Sequence, residues 1–145
     1  MGQRGGDMTW VHWALLSALF AGITAVLAKA GTTDIEPNLA TAIRTTVVLL
    51  LAWGVVLASG KPEWKVVSGR ATVCLILSGV ATGLSWLCYF RALHLGEASS
   101  VAPVDKLSVV FAVALAALFL GERLVWQHWV GGSLIVAGAV VIATK

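Results

Sequence analysis

The sequence predicts an all-α integral membrane protein built as a bundle of five transmembrane helices. Of its 145 residues, 59% are hydrophobic and only 12% are charged, and the mean hydropathy is +0.90. A helix needs roughly 20 apolar residues to cross the hydrocarbon core of a bilayer, and the chain divides into five such stretches with short connections. We predict a single membrane domain over residues 1–145, with helices near residues 10–30, 37–59, 71–92, 98–120 and 125–144.

The first predicted helix begins at Trp10 and is as long as the later ones, so we expect a retained helix and not a cleavable signal. One face of it carries small residues and ends in a lysine, at spacings of 4, 3 and 4: Ala18, Gly22, Ala25 and Lys29. Small residues mark close helix contacts in lipid, so Lys29 is expected on an inward face.

The second predicted helix starts at Pro37 and carries Arg44, which is flanked by Thr41 and Thr45. An arginine in the outer part of a membrane helix has two interpretations. Its long side chain either extends to the water boundary, or faces inward and contributes to a solute pathway.

The third predicted helix contains a polar stripe at helical spacing: Ser78, Thr82, Ser85 and Tyr89. The hydroxyl groups can bond to carbonyl oxygens of their own helix or hold neighbouring helices together. Alternatively, the stripe lines a pathway in which Trp86 and Tyr89 form a platform for a solute.

The fourth predicted helix contains the adjacent pair Asp105 and Lys106, shortly after Pro103. A charge near the centre of a membrane helix costs about 2.5 to 3.5 kcal/mol on insertion scales, so a pair there indicates a partner or a function. Pro103 removes a backbone donor and is expected to kink or unwind the first turns. Neighbouring helix residues point about 100° apart, so we expect Asp105 to pair with Arg44 or Lys29 rather than with Lys106. A buried ion-pair network that fixes helix register is the structural alternative.

Basic residues outside the helix centres favour a cytoplasmic N-terminus. The N-terminal side of the membrane receives five of them: Arg4, Lys61, Lys65, Arg70 and Arg123. The other side receives Lys29, Arg91 and Lys145. Adding Arg44 and Lys106 makes the count five against five, which leaves dual orientation open. We therefore attribute the pI near 9.2 to basic residues in loops and at helix ends, where they act as signals of membrane orientation. We predict no nucleic-acid partner.

Motifs for catalysis and metal binding are missing from the sequence. The three histidines are dispersed without zinc-ligand spacing: His12, His94 and His128. There is also no set of nucleophile and base, and no phosphate-binding glycine loop. We therefore predict no metal, no cofactor and no enzymatic activity.

A series of short segments resembles the EamA domain of the drug/metabolite transporter superfamily, in particular its short five-helix bacterial and archaeal branch. The segments are residues 40–45, residues 89–98, the string from Pro103 to Ser108, Leu120-Gly121-Glu122, and the glycine-rich residues 131–138. The resemblance implies a transporter that exports or exchanges small organic solutes and is built from two five-helix halves of opposite orientation. This chain corresponds to one half of such an inverted-repeat transporter, since five crossings reverse the orientation of a fused duplicate.

We therefore predict a plasma-membrane transporter that works in the lipid bilayer as a homodimer with alternating access, either antiparallel or parallel. The predicted substrate or ion pathway consists of Lys29, Arg44, Thr45, Ser85, Trp86, Tyr89, Asp105 and Lys106. Asp105 is expected to be a proton-linked or salt-bridging switch, and the basic residues to attract a carboxylate or other anionic group. The predicted dimer seam is Gly131, Gly132, Ser133 and Gly138. The alternatives are a non-transporting membrane subunit that packs against a partner protein and, third, a flippase for a lipid-linked substrate.

Overall fold

The computed structural model describes residues 7–60 and 68–144, which form six α-helices and one π-helical segment. The helices are α1 (Asp7–Gly31), α2 (Pro37–Ala58), α3 (Gly69–Leu95), α4 (Ala98–Asp105), α5 (Ser108–Leu115) and α6 (Trp126–Ala143), with the π-helical segment at Ala116–Leu120. No β-strand occurs among the described residues. Four of the residues used to predict orientation lie outside them: Arg4, Lys61, Lys65 and Lys145.

The prediction of five membrane-spanning helices is confirmed. The described residues contain five helices that are long and apolar enough to cross a bilayer: Trp10–Gly31, Pro37–Ala58, Gly69–Leu95, Ala98–Leu120 and Trp126–Ala143. The third is longer than the predicted 71–92, because it extends over the polar residues Arg70 and His94 at its two ends. Polar ends can stay helical beyond the apolar core, since their side chains reach the water boundary.

Most large apolar side chains are exposed on the surface of the chain. In each spanning helix, at most 6% of the most apolar window is buried inside the molecule. Helices are stable in hydrocarbon because every backbone donor and acceptor is satisfied within the helix, and lipid solvates the apolar side chains. The chain is therefore a multi-pass membrane protein whose apolar surface suits a bilayer.

Local sequence explains two of the helix ends. At the start of α2, Glu36 Oε2 accepts a hydrogen bond of 2.9 Å from the Leu39 backbone N–H, and Pro37 occupies the first turn. The proline has no N–H to leave unsatisfied and its fixed φ suits a helix start. At the other end of the fourth span, Gly121 adopts φ +67° and its N–H bonds to the Ala116 carbonyl oxygen. Glycine takes this left-handed conformation without a steric penalty, so it ends the helix.

The fourth span is divided, and the division lies beyond the proline. We expected Pro103 to disturb the first turns, but α4 continues through it to Asp105 and the α-helix is interrupted at residues 106–107. There the Lys106 and Leu107 N–H groups bond to the carbonyl oxygens three residues earlier, at 3.1 and 3.0 Å. These are bonds of a 3₁₀ turn, which is tighter than an α-helix. The charged pair thus lies at an interruption in the span.

The chain divides into two compact units. Unit one is residues 1–30 with 96–145; within it α6 packs against α4 and α5. Gly132 faces α5, where an added Cβ would be in ordinary van der Waals contact with Val110 Cγ2, at 4.0 Å. Ala25 of α1 and Ala139 of α6 are buried. Of the small residues predicted on the inward face of the first helix, Ala25 is thus buried, whereas Ala18 and Gly22 are exposed.

Unit two is residues 31–95, in which α2 packs against α3. Its buried residues are Thr32, Pro37, Thr41, Phe90 and Leu93. The segment before α2 is tied to the end of α3, because His94 Nδ1 lies 3.1 Å from the Thr32 carbonyl oxygen. A carbonyl oxygen only accepts, so His94 Nδ1 carries the proton of this bond. The prediction of a single membrane domain over residues 1–145 stays a prediction.

Candidate functional site

The clearest candidate site in unit two is a cationic side chain held against aromatic rings. The Arg44 guanidinium carbon lies 4.4 Å from the centroid of the Trp86 ring and 5.5 Å from that of Phe90. Both distances are within the range of about 6 Å over which a cation is attracted to a ring face. Trp86 and Phe90 are four residues apart on α3, so they share one face of that helix. We call these three side chains the Arg44 cluster.

Phe90 was not among the predicted site residues. It is only 3% exposed, and its ring makes an edge-to-face contact with Tyr89, with centroids 6.3 Å apart and planes at 78°. The hydroxyl stripe on the same helix drew the prediction to other positions. The spacing of Trp86 and Phe90 was the signal that could have found it, because aromatic residues four apart form one surface.

The hydroxyl groups predicted for the pathway mostly bond locally. Thr45 Oγ1 donates to the Thr41 carbonyl oxygen at 2.7 Å, and Thr82 Oγ1 donates to the Ser78 carbonyl oxygen at 2.9 Å. Ser85 is exposed on α3. The structural interpretation of the stripe therefore applies to Thr82, and Thr45 of α2 bonds in the same local way. Each hydroxyl oxygen keeps lone pairs that can accept a further hydrogen bond.

The charged pair in unit one contradicts the expected pairing. Lys106 Nζ lies 3.4 Å from Asp105 Oδ2, so the two neighbours pair with each other. The expectation considered only the direction of the Cβ atoms, whereas the four-carbon stem of lysine can bend back across one residue. The Lys106 and Asp105 side chains are 55% and 35% exposed, respectively. The pairing of Asp105 with Arg44 stays a prediction.

Lys29 has a backbone partner in the same unit. Its Nζ donates a 2.9 Å hydrogen bond to the Gly96 carbonyl oxygen in the segment before α4. The bond joins the end of α1 to the start of the fourth span. The carbonyl oxygen carries no formal charge, so this bond does not pair Lys29 with an acidic group.

Three of the four residues predicted for the dimer seam lie beside an open groove in unit one. The groove has a volume of about 940 Å³ and runs between α6 and the stretch from α5 into the π-helical segment. Gly131, Gly132 and Ser133 line it, among mainly apolar neighbours. Gly132 approaches Val110 of its own chain, whereas an added Cβ at Gly131 or Gly138 would meet nothing within 4 Å. The seam itself stays a prediction.

The described part of the chain contains no group of three or more His, Cys, Asp or Glu side chains able to hold a metal ion. Its functional groups are thus a cation among aromatic rings, an ion pair at a helix interruption, and apolar helices. These features define a multi-pass membrane protein with charged groups inside its spans.

Comparison with known proteins places the chain within that class. The chain belongs to the EamA-like transporter family, whose family model matches residues 8–144. This confirms the resemblance seen in the sequence. No solved structure matches the chain.

Three relatives illustrate the range of the family. The chain is 50% identical over 140 residues to an "Uncharacterized transporter in cobO 3'region" from Sinorhizobium sp., covering 94% of this chain and 98% of the relative. It is 40% identical over 67 residues to a "Probable terminal-alkyne amino-acid exporter" from Streptantibioticus cattleyicolor, covering 43% of this chain and 22% of the relative. It is 25% identical over 136 residues to the "WAT1-related protein At3g28060" from Arabidopsis thaliana, covering 92% of this chain and 61% of the relative.

Proposed function

We propose that the protein is a secondary transporter that moves a small organic solute across the plasma membrane. The observation that carries the proposal is Arg44, a cation inside a membrane-spanning helix and in contact with two aromatic rings. Ionisable groups inside spans are costly and usually belong to a substrate or ion route. Membership of a transporter family and the similarity to the Sinorhizobium transporter support the same function.

The transported solute carries an anionic group in this proposal. Arg44, Lys29 and Lys106 each place a positive charge within a spanning helix. Their attraction for an anion is strong where the surroundings have a low dielectric constant. One relative is named an amino-acid exporter, and an amino acid carries a carboxylate.

The working unit in this proposal is a homodimer with alternating access. Five spans are an odd number, so two copies in opposite orientation have the inverted symmetry found in many secondary transporters. The near-even distribution of basic residues supports an antiparallel pair, with a cytoplasmic N-terminus favoured for a single orientation. A parallel dimer remains the other arrangement.

Asp105 acts as the switch of the transport cycle in this proposal. Its carboxylate is paired with Lys106 at the interruption between α4 and α5, and it is partly exposed. Protonation of Asp105, or binding of an anion to Lys106, would open the pair. Either event would couple solute movement to a local charge change.

Transport by purified protein in liposomes tests the proposal. We expect proteoliposomes to exchange radiolabelled carboxylated metabolites faster than protein-free liposomes, and Asp105→Asn to abolish the dependence of this exchange on pH. Glu122→Gln is the matched control, because Glu122 is an exposed acid just outside the fourth span. Equal exchange by wild type and Asp105→Asn at every pH would remove Asp105 from coupling.

A non-transporting subunit is the second candidate, and the Asp105–Lys106 contact favours it. A pair that neutralises itself on one span requires no substrate to balance it. If the charges only stabilise the fold, the double variant Asp105→Asn with Lys106→Gln should keep full cellular function and thermal stability. A transporter that uses either charge loses flux in the double variant while it still folds.

A further inference from the structure

We propose that the Arg44 cluster is a selective carboxylate-binding site, and that it takes carboxylates attached to an apolar or aromatic body. The inference rests on the proposed transport function, because it names the solute class for the same protein. It concerns residues of α2 and α3 in unit two and requires no other part of the chain.

The cluster holds its cation in a defined place. Arg44 has a ring at 4.4 Å and another at 5.5 Å. Phe90 is almost fully buried and is contacted edge-on by Tyr89, so the second ring is itself fixed. A planar guanidinium whose position is restricted loses less conformational entropy on binding than a free lysine side chain. The geometry therefore suits binding of an oxyanion by paired hydrogen bonds.

The contacts of Arg44 also leave its hydrogen-bonding capacity available. The guanidinium has five N–H donors, and aromatic rings are only weak acceptors. Among the described residues of unit two, Arg44 contacts rings and no carboxylate. A positive charge in a membrane span is costly without an opposite charge. A bound carboxylate would supply a negative charge that the described residues of unit two do not place beside Arg44, together with two strong acceptors.

The aromatic rings of the site favour one kind of chemical group attached to the carboxylate. Trp86 and Tyr89 are half-buried, so each residue keeps some accessible surface. Aromatic surfaces bind apolar and aromatic groups by stacking and edge contacts. The site therefore favours a carboxylate with a hydrocarbon or ring body over a small hydrophilic acid, and it disfavours organic cations by charge repulsion.

Calorimetric binding to the full chain in lipid nanodiscs tests the inference without measuring transport. The probes are matched acid and amide pairs: phenylacetate with phenylacetamide, and hexanoate with hexanamide. At pH 7.5 the acids are ionised, since carboxyl groups have a pKa near 4. We expect each acid to bind at least about tenfold more tightly than its amide, because hydrogen bonds to charged groups contribute that much.

Variants show whether Arg44 causes the preference. Arg44→Gln should abolish it, and Arg44→Lys should weaken acid binding by about tenfold while keeping the charge. Phe90→Leu should lower the ratio of acid to amide affinity several-fold, because one ring beside the guanidinium is lost. Arg91→Gln is the matched control, because Arg91 is an exposed arginine on the same α3 helix, and its preference should equal that of wild type.

The inference is overturned if no acid in the set binds more tightly than its amide, or if Arg44→Gln keeps the wild-type preference. Should Arg44→Gln fail to purify in a folded state, Arg44→Lys and Phe90→Leu decide the question alone. A wild-type protein that binds the acids selectively but exchanges none of them contradicts the transport function and supports the binding site. Undiminished exchange of carboxylates by folded Arg44→Gln supports transport and contradicts the binding site.

Discussion

Leu93 is one of the few buried side chains among the described residues. Its side chain is 0% exposed in unit two, while Leu95, two residues later on α3, is 75% exposed. Because lipid is as apolar as leucine, burial gains little from the hydrophobic effect in a membrane, and packing contacts supply the stability. We therefore expect the few buried side chains among the described residues of unit two to carry much of its packing specificity.

Replacing Leu93 with alanine is expected to lower the free energy of unfolding by about 2 kcal/mol, because it leaves a cavity among fixed neighbours. Leu95→Ala is the matched control and should change stability by less than about 0.5 kcal/mol. Thermal unfolding of the two full-length variants in detergent, followed by circular dichroism, measures the difference. Equal melting temperatures would mean that the contact around Leu93 does not determine stability.

At individual residues, the sequence selected candidate side chains by type, but it could not predict which of them contact one another. Arg44, Trp86 and Tyr89 were selected because polar and aromatic residues are unusual inside spans. Lys106 was wrongly excluded as a partner of Asp105, because this contact depends on how a flexible lysine bends and not on spacing along a helix. Phe90 was missed because the prediction followed the polar residues of that helix and did not use the four-residue spacing between Trp86 and Phe90.

The fourth span is the element in which backbone geometry departs most from a regular helix. It passes from α4 through a 3₁₀ turn into α5, and then into the π-helical segment that ends at Gly121. The sequence predicted a disturbance near Pro103 and a boundary at Gly121. It could not place the interruption after Asp105, because hydrogen-bond patterns of 3₁₀ and π turns have no distinctive residue pattern of their own.

Gly121→Ala is expected to destabilise the protein by about 1 to 2 kcal/mol, because a side chain at φ +67° meets the steric cost of the left-handed region. Gly54→Ala is the opposite control. Gly54 is inside α2 and an added Cβ there meets nothing within 4 Å, so alanine should stabilise by up to about 1 kcal/mol. Melting temperatures of the two variants should therefore move in opposite directions from wild type, and a shift of both in one direction would contradict this reasoning.

For the whole molecule, composition alone determined the class, and the comparisons confirmed it. Five apolar stretches, few charges and short connections leave little besides a multi-pass membrane protein. Composition does not predict the oligomeric state, because a surface that faces lipid and a surface that faces a second copy have similar composition. The proposed seam therefore needs a test at the level of the assembly.

Gly138→Leu is expected to weaken the proposed homodimer while each copy still folds, because an added Cβ at Gly138 has open space within its own chain. Gly22→Leu is the matched control: it has equal open space, but lies on α1 outside the proposed seam. Light scattering of the detergent complexes measures the mass of each variant. If the dimer persists in Gly138→Leu, the seam lies elsewhere.

The π-helical segment has a consequence for how the chain can tolerate changes in length. Its Gly121 N–H bonds to a carbonyl five residues earlier, where an α-helix would use one four residues earlier. The ring therefore holds one residue more than a regular turn. A chain with one residue fewer between 116 and 120 can close the same turn with ordinary α-helical bonds. The residues before and after the deletion would then stay on the same sides of the helix. The middle of α2 has no such extra residue, so a deletion there rotates every later side chain of that helix by about 100°.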